Sequence, residues 1–325
     1  MKTVRVGRSG LEISGAVLGM MSYGTASERS LPWALGIDDA RPIVRAAFDA
    51  GITSFDTSNN YSAGTSEEIT GELVKELGPR ESVQLFTKLF APTSGWRNGH
   101  GLSRISILRE IDASLTRLGT DYVDLYQVHR FDSAVPVEET MEALHDVVKA
   151  GKARYIGASS MWTWQFAQMQ HAAELNGWTK FISMQDQYNL LEREEEREMH
   201  PYAAATGIGI IPWSPLAAGY LSKPWGDDGS GRASGDAFGK RFLQHSDANA
   251  KAVSVVQEIA KERGIPMTQV ALSWVTNKPA VTAPIVGATK SRHLEDVVAS
   301  LELTLSDEEV ARLEAEYTPR TPSGF

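Results

Sequence analysis

Short apolar runs alternate with stretches whose apolar residues recur every three or four positions, and this alternation runs almost the whole chain. The first segment differs. Residues 3–6, the turn Gly7-Arg8-Ser9-Gly10 and residues 11–14 read as a short hairpin with a Gly-rich turn. Strand-like runs follow at 16–19, 52–57, 83–89, 123–129, 153–158, 181–185, 208–213 and 283–286. Between them lie helical patterns. Residues 39–50 place Ile43, Val44, Ala47 and Phe48 on one face, and Gly51 stops them. Ser66 is expected to cap a helix running to Leu77, and Ser103 to cap one carrying Ile105, Leu108, Ile111, Leu115 and Leu118. Further helices are expected at 137–149, 162–176, 194–205, 248–263 and 267–276.

Strand tips recurring at the spacing of a βαβ unit, eight of them, predict a parallel (β/α)8 TIM barrel with an N-terminal hairpin, spanning 1–325 as one domain. A doubly wound open sheet is the competitor. It more often carries a Gly-rich fingerprint after its first strand, and no G-x-G-x-x-G occurs here. After the seventh strand, residues 219–245 read as a long Gly-, Ser-, Asp- and Pro-rich loop, of the kind that is either a functional lid or a disordered segment. The tail, 318–325, is expected to wrap the surface.

Composition adds exclusions. The 325 residues include no cysteine, which rules out disulfides, thiolate metal sites and cysteine nucleophiles. A net charge of −9 argues against a general nucleic-acid or anionic-membrane surface. With no apolar signal segment at the start and no run long enough to span a bilayer, the expectation is a cytoplasmic protein with no membrane partner. No metal-ligand constellation is visible among the histidines. The acidic run at 192–198 reads as a charged helix start.

The candidate chemistry lies at the tips of three successive strands, where Asp56, Tyr61, Lys88 and His129 fall. Each alone is more often structural, as part of an ion pair, a capped strand end or a satisfied histidine. Together, on consecutive tips, they point to an active site at the barrel mouth. Asp56 can hold a partly desolvated Lys88 charged. A positive Lys88 beside Tyr61 would stabilise the phenolate and make Tyr61 a usable general acid. His129 can hydrogen-bond a substrate oxygen and orient it. Trp33, Phe90, Trp96, Trp162 and Trp225 follow strand tips and are candidates for an apolar substrate pocket. Arg130 is placed either to meet an anionic substrate or to bind the protein itself.

Several stretches carry a resemblance. They include GITSFDTS at 51–58, YSAGTSEE at 61–68, FTK at 86–88, SLTRLGTDYVDLY at 114–126 and GKARYIGASS at 151–160. QDQYNLL at 185–191, PWSPL at 212–216 and IVGATK at 285–290 continue it in order. On these the chain resembles the aldo-keto reductase superfamily, in particular the bacterial and fungal branch related to channel β-subunit-like reductases. The resemblance implies reduction of a small-molecule aldehyde or ketone by NAD(P)H. It implies Asp56, Tyr61, Lys88 and His129 as the catalytic tetrad, with Tyr61 protonating the carbonyl oxygen.

The resemblance also implies cofactor contacts. Ser159 and Gln185 match the residues that bind the nicotinamide carboxamide; Ser160 stands where relatives have asparagine or arginine. Trp213 matches the aromatic residue stacked on the ring, often tyrosine elsewhere. Ser214, Pro215, Leu216 and Gly219 would bracket the pyrophosphate, with Lys223 and Arg232 reaching in from the long loop. Gly19, Met20, Met21 and Asp56 are assigned to the cofactor from the first two tips. After the last strand, Gly287, Thr289, Lys290, His293 and Asp296 complete the set, though Asp296-Val297 replaces the family's Glu-Asn. Lys290 and Arg292 at a helix start favour NADPH over NADH, because charge there suits the 2′-phosphate. Two other functions compete: an NADPH-binding redox-sensing barrel with slow turnover, and a lyase using Lys88 as a Schiff-base nucleophile. The sequence leaves the particular carbonyl compound and the oligomeric state open.

Overall fold

The structure is a computed structural model that describes residues 1–25, 33–93, 95–226 and 246–322. Strands β1 (Thr3–Arg5) and β2 (Glu12–Ser14) form the expected antiparallel hairpin, with Thr3 opposite Ser14 and Arg5 opposite Glu12. Its turn must be glycine at position 7. Gly7 has φ +54, and a Cβ there would sit 2.3 Å from the Gly207 carbonyl oxygen. Val6, Leu11 and Ile13 pack against Phe86, Leu125 and Ile211, so the hairpin plugs one end of the barrel.

The barrel consists of β3 (Val17–Gly19), β4 (Ser54–Asp56), β5 (Gln84–Leu89), β6 (Val123–Val128), β7 (Ala153–Ser159), β8 (Phe181–Gln185), β9 (Gly209–Ile210) and β10 (Ile285–Val286). All neighbours are parallel, in the order β10-β3-β4-β5-β6-β7-β8-β9. The ring closes through a parallel bridge between Ile210 and Val281. Two hydrogen bonds flank that bridge, Thr282 N to Ile210 O (2.7 Å) and Ile285 N to Pro212 O (2.8 Å). This is the expected (β/α)8 barrel.

Helices α1 (Ile37–Asp49), α2 (Thr65–Lys75), α3 (Arg104–Leu118), α4 (Val137–Lys149), α5 (Thr163–Asn176) and α6 (Met199–Thr206) follow the successive strands. Then come α7 (Ser246–Arg263), α8 (Met267–Thr276), α9 (Arg292–Glu302) and α10 (Asp307–Ala315). Helix α4 shows the sequence logic. Val137, Met141, Leu144 and Val147 recur at helical spacing, and all are buried against the outside of the sheet. Ser103 caps α3 as expected, its hydroxyl accepting from Ser106 N, and left-handed Gly119 ends the helix. No helix of the described residues is long and apolar enough to cross a membrane.

Two expectations need correction, and one helix was not among those expected. Ser66 does not cap α2. The chain enters that helix through left-handed Ser62, Ala63 and Gly64, so α2 starts at Thr65. Ser66 is fully buried in the first turn, donating to Met20 O (2.9 Å). The acidic run is not a solvated helix start either. It forms a 3-10 turn, Glu194–Glu196, and α6 begins only at Met199. Glu192, Glu194 and Glu195 are buried, because the C-terminal tail docks there. Glu194 Oε1 accepts from Tyr317 Oη (2.6 Å) and Arg320 N (2.9 Å), and its Oε2 from Arg197 Nε (2.6 Å). Burial, then the neighbouring acids, pushes the Glu195 carboxyl up to about 9. Finally, α10 went unread although Ser306 and Glu309 form a reciprocal capping box at its start.

Candidate active site

The candidate residues gather at the carboxyl ends of the strands. In β5 the inward positions are Phe86 and Lys88, set by two-residue periodicity; Leu85, Thr87 and Leu89 point the other way. Lys88 is fully buried, and its three N–H bonds are all directed. Nζ donates to Asp56 Oδ2 (2.5 Å), to Thr57 O (2.8 Å) and toward Tyr61 Oη (3.3 Å). Burial alone would push the ammonium's pKa down. The Asp56 carboxylate, followed by Tyr61, outweighs that and holds it above the usual lysine value.

Asp56 is anchored from its other oxygen. Oδ1 accepts from Gln127 Nε2 (3.1 Å) and Gln185 Nε2 (3.0 Å), and Gln185 Nε2 also reaches Gln127 Oε1 (3.1 Å). These three residues come from β4, β6 and β8. They form one layer of inward side chains from alternate strands, the packing rule of such barrels. Gln127, fully buried, was not singled out from the sequence. The usable signal was its place two residues after Leu125 on the inward face of a strand that leads to His129.

Tyr61 opens the 3-10 turn Tyr61–Gly64 after β4. The connecting loop is pinned to β5 by Thr57 N to Phe86 O (2.9 Å) and Asn59 N to Lys88 O (3.1 Å). The Asn59 amide also donates to Glu110 on α3 (2.9 Å). His129 sits just beyond β6, its ring edge-on to Tyr61 at 5.8 Å between centroids. Its Nδ1 lies 3.2 Å from Ser58 Oγ. Burial first, then Lys88 and Arg130, pushes its pKa well below the usual histidine value, which favours the neutral ring. The structure thus brings all four candidate residues together.

A neutral His129 has a measurable consequence. The unfolded chain takes up a proton near pH ~6.5 that the folded ring refuses. Stability is therefore full above that pH and falls as pH drops toward the depressed folded value. His293 is shifted the same way, by burial and then by Arg292 and Lys290. Urea midpoints should decline from about pH 7 to about pH 5, and less steeply in His129→Gln. An equal slope in that variant would show that the folded ring titrates normally.

The later strand tips carry the other candidates. Ser159 Oγ donates to Gln185 O (2.8 Å), Ser160 N to the same oxygen (3.1 Å), and Trp213 Nε1 to Ser160 Oγ (2.9 Å). Both hydrogens of Gln185 Nε2 are directed at Asp56 and Gln127, which leaves its Oε1 as the acceptor it can offer. After β9 the backbone turns left-handed at Ser214 (φ 56), Ala217 (φ 50), Ala218 (φ 55) and Gly219 (φ 97). Non-glycine residues rarely adopt this conformation, and they concentrate at functional loops. Pro215 is buried, Leu216 packs on the core, and Lys223 is half-buried at the end of that turn. Arg232, and the candidate lid beyond residue 226, lie outside the described residues.

Across the barrel, Gly19 ends β3, Met20 is wholly in the core and Met21 is half-exposed. Gly287, Thr289 and Lys290 lead into α9, whose start has no side-chain cap. Lys290 and Arg292 are exposed. Thr289 N reaches His293 Nδ1 (3.4 Å), and Asp296 accepts from Gln269 (2.9 Å).

The expected aromatic pocket is only partly assembled. Trp96 and Trp162 are exposed, Phe90 packs on the core, and the Trp225 ring lies tilted beside Tyr220, 5.4 Å between centroids. Trp33 is half-buried. Trp164, not singled out from the sequence, stands 61% exposed against Phe131, two residues past His129. Arg130 turns back on the protein, donating to His129 O (2.5 Å).

A parallel barrel with a lysine–carboxylate–phenol cluster at its carboxyl mouth is the scaffold of an enzyme. Comparison with known proteins supplies the class. Residues 17–317 match the model of the aldo/keto reductase family. An aldo-keto reductase of Fusarium vanettenii is 45% identical, over 98% of this chain and 92% of its own. Versiconal hemiacetal acetate reductase of Aspergillus parasiticus is 42% identical over 98% of both. A putative aryl-alcohol dehydrogenase of Schizosaccharomyces pombe is 42% identical, over 97% of this chain and 95% of its own. The chain belongs to the aldo/keto reductase family and is an oxidoreductase.

Proposed function

We propose that this protein reduces an aldehyde or ketone to the alcohol with NADPH. Tyr61 is the proton donor, Lys88 and Asp56 support it, and His129 orients the substrate. The observation that carries this reading is the path Asp56–Lys88–Tyr61, in which the third N–H of a buried ammonium is aimed at the phenol oxygen. As the Tyr61 proton passes to the carbonyl oxygen, the ammonium stabilises the phenolate left behind. Asp56, anchored by Gln127 and Gln185, keeps the lysine charged throughout.

NADPH, when bound, supplies the hydride that the carbonyl carbon receives. The residues suited to hold it are Ser159, Ser160 and Gln185 for the carboxamide and Trp213 for the ring face. The left-handed run from Ser214 to Gly219 suits the pyrophosphate. The uncapped start of α9 with Lys290 and Arg292 suits the 2′-phosphate, since helix starts favour anions. A Schiff-base role for Lys88 is disfavoured, because a buried ammonium with all three hydrogens engaged is not a nucleophile.

The test is NADPH oxidation with aldehydes, ketones, sugars and quinones, run beside NADH and coupled to detection of the alcohol. Stoichiometric alcohol formation supports the reading. A borohydride-trapped Lys88 adduct formed without nicotinamide would replace it. Lys290→Ala should raise the Kd for NADPH by roughly fivefold and leave NADH nearly unchanged, the effect of one exposed charge contact. Equal weakening of both nucleotides would remove the 2′-phosphate role.

A further inference from the structure

Asn189 has no part in the reductase reading, yet every one of its polar atoms is engaged. It is fully buried in the loop that follows β8. Its backbone exchanges two hydrogen bonds with Glu192, Asn189 N to Glu192 O (3.1 Å) and Glu192 N to Asn189 O (3.0 Å). Its side chain faces two ways. Oδ1 accepts from Leu191 N (2.9 Å), and Nδ2 donates to Ser214 O (2.9 Å). A backbone N–H can only donate and a backbone carbonyl can only accept, so these two partners fix which end of the amide is which.

The Ser214 carbonyl also accepts from Ala217 N (2.9 Å), closing a turn in which Ser214, Ala217 and Ala218 are all left-handed. Non-glycine residues keep that conformation only where their surroundings over-determine it. Asn189 supplies such a constraint from outside the loop. On its other side, the Asn189 turn meets the C-terminal tail. Arg193 N donates to Tyr317 Oη (3.0 Å), and Tyr317 Oη donates to Glu194 Oε1 (2.6 Å), which also accepts from Arg320 N (2.9 Å). The Arg193 guanidinium lies 5.2 Å from the centre of the Tyr317 ring and donates to Glu314 on α10 (2.9 Å). One phenol thus ties the tail to the residue that follows Glu192.

We propose that Asn189 is a positioning residue of the nucleotide site, holding the Ser214–Gly219 loop in the shape that receives a pyrophosphate, and that docking of the tail at Tyr317 acts on the nucleotide through it. The nucleotide half rests on the reductase reading; the link from tail to loop does not. With the tail docked, the turn from Asn189 to Glu192 is held and Nδ2 stays on Ser214 O. With the tail released, the turn loosens and the left-handed backbone relaxes away from the binding shape. Such coupling is reciprocal: what docking adds to nucleotide affinity, the bound nucleotide returns to docking.

Amide hydrogen exchange, followed by NMR on the full chain without nucleotide, tests the link. Tyr317→Phe removes the shared hydroxyl and keeps the ring. It should speed exchange about fivefold at Arg320 and also at Ala217, whose N–H is bonded to the oxygen that Asn189 holds. Faster exchange at Arg320 with none at Ala217 overturns the link.

Fluorescence titration reads the nucleotide half. The Kd for NADPH should rise about fivefold in Tyr317→Phe and about tenfold in Asn189→Ala, with the loss in the KM for NADPH rather than in kcat. In the double variant the rise should equal that of Asn189→Ala alone, because the path is already cut; multiplied losses would show that the tail acts by another route. Saturating NADPH should slow exchange at Arg320 in the wild-type chain by a similar fivefold, a measurement that depends on no variant. Unchanged exchange there overturns the coupling. If the wild-type chain binds neither NADPH nor NADH, the reductase reading and the nucleotide half fall together, and exchange at Ala217 still decides the link.

Discussion

Tyr61→Phe should lower kcat for carbonyl reduction by about two to four orders of magnitude while leaving the Kd for NADPH within about twofold. The substitution removes one oxygen. The ring, its edge contact with His129 and the backbone turn at Tyr61–Gly64 all remain. Lys88 keeps its bonds to Asp56 and Thr57 O, so the ion pair does not lose its geometry. What disappears is the group beside the ammonium that can deliver a proton to a developing alkoxide. Steady-state rates with a reactive aldehyde, together with fluorescence titration of NADPH, would separate the two effects. A variant that retains kcat would remove Tyr61 from the chemistry, and one that loses NADPH binding would recast it as a cofactor contact.

The second large effect concerns stability. Lys88→Met should destabilise the fold by about 3–5 kcal/mol, because Asp56 would be left as a buried carboxylate without its counter-charge. Only the amide donors of Gln127 and Gln185 would remain on it, both directed at the other oxygen. The double variant Asp56→Asn/Lys88→Met should recover a good part of that loss, since the neutral pair no longer strands a charge, yet it should stay inactive. Urea unfolding of the wild type, both single variants and the double variant closes the cycle. A single-variant loss below about 1 kcal/mol would mean that water reaches Asp56 and screens it, contrary to its burial. Recovery of activity in the double variant would show that the pair serves folding alone.

The barrel was legible because each strand is a short apolar run and each helix a three-to-four-residue repeat, both local patterns. Lys88 was legible for a related reason, since a lysine among Leu85, Phe86 and Leu89 contradicts its surroundings. Gln127 contradicts nothing: a glutamine within a strand next to a tip suits many folds. Its role depends on Asp56 and Gln185, which the ring closure brings to it from distant parts of the chain. Asn189 was hidden likewise, as its meaning lies in a contact with Ser214 across two loops. The run from Glu192 to Glu198 misled because charge along a sequence suggests water. Whether the charge meets water is decided by the tail, where Tyr317 and Arg320 arrive to cover it.

The ring is held with unequal strength around its circumference. Strands β5, β6 and β7 share long ladders, whereas β9 and β10 contribute two residues each and, among the described residues, are joined by the Ile210–Val281 bridge and its two flanking hydrogen bonds. Lys88 and His129 stand on the well-laced staves. The loop from Ser214 to Gly219 follows one of the two strands at the thin seam, and the start of α9 follows the other. Under the proposed reading, a single dinucleotide laid along both would act as a stitch, pulling together the two edges that the chain itself joins least firmly. The catalytic half is then built stiff from the start, while the half that grips the nucleotide is finished by what it grips.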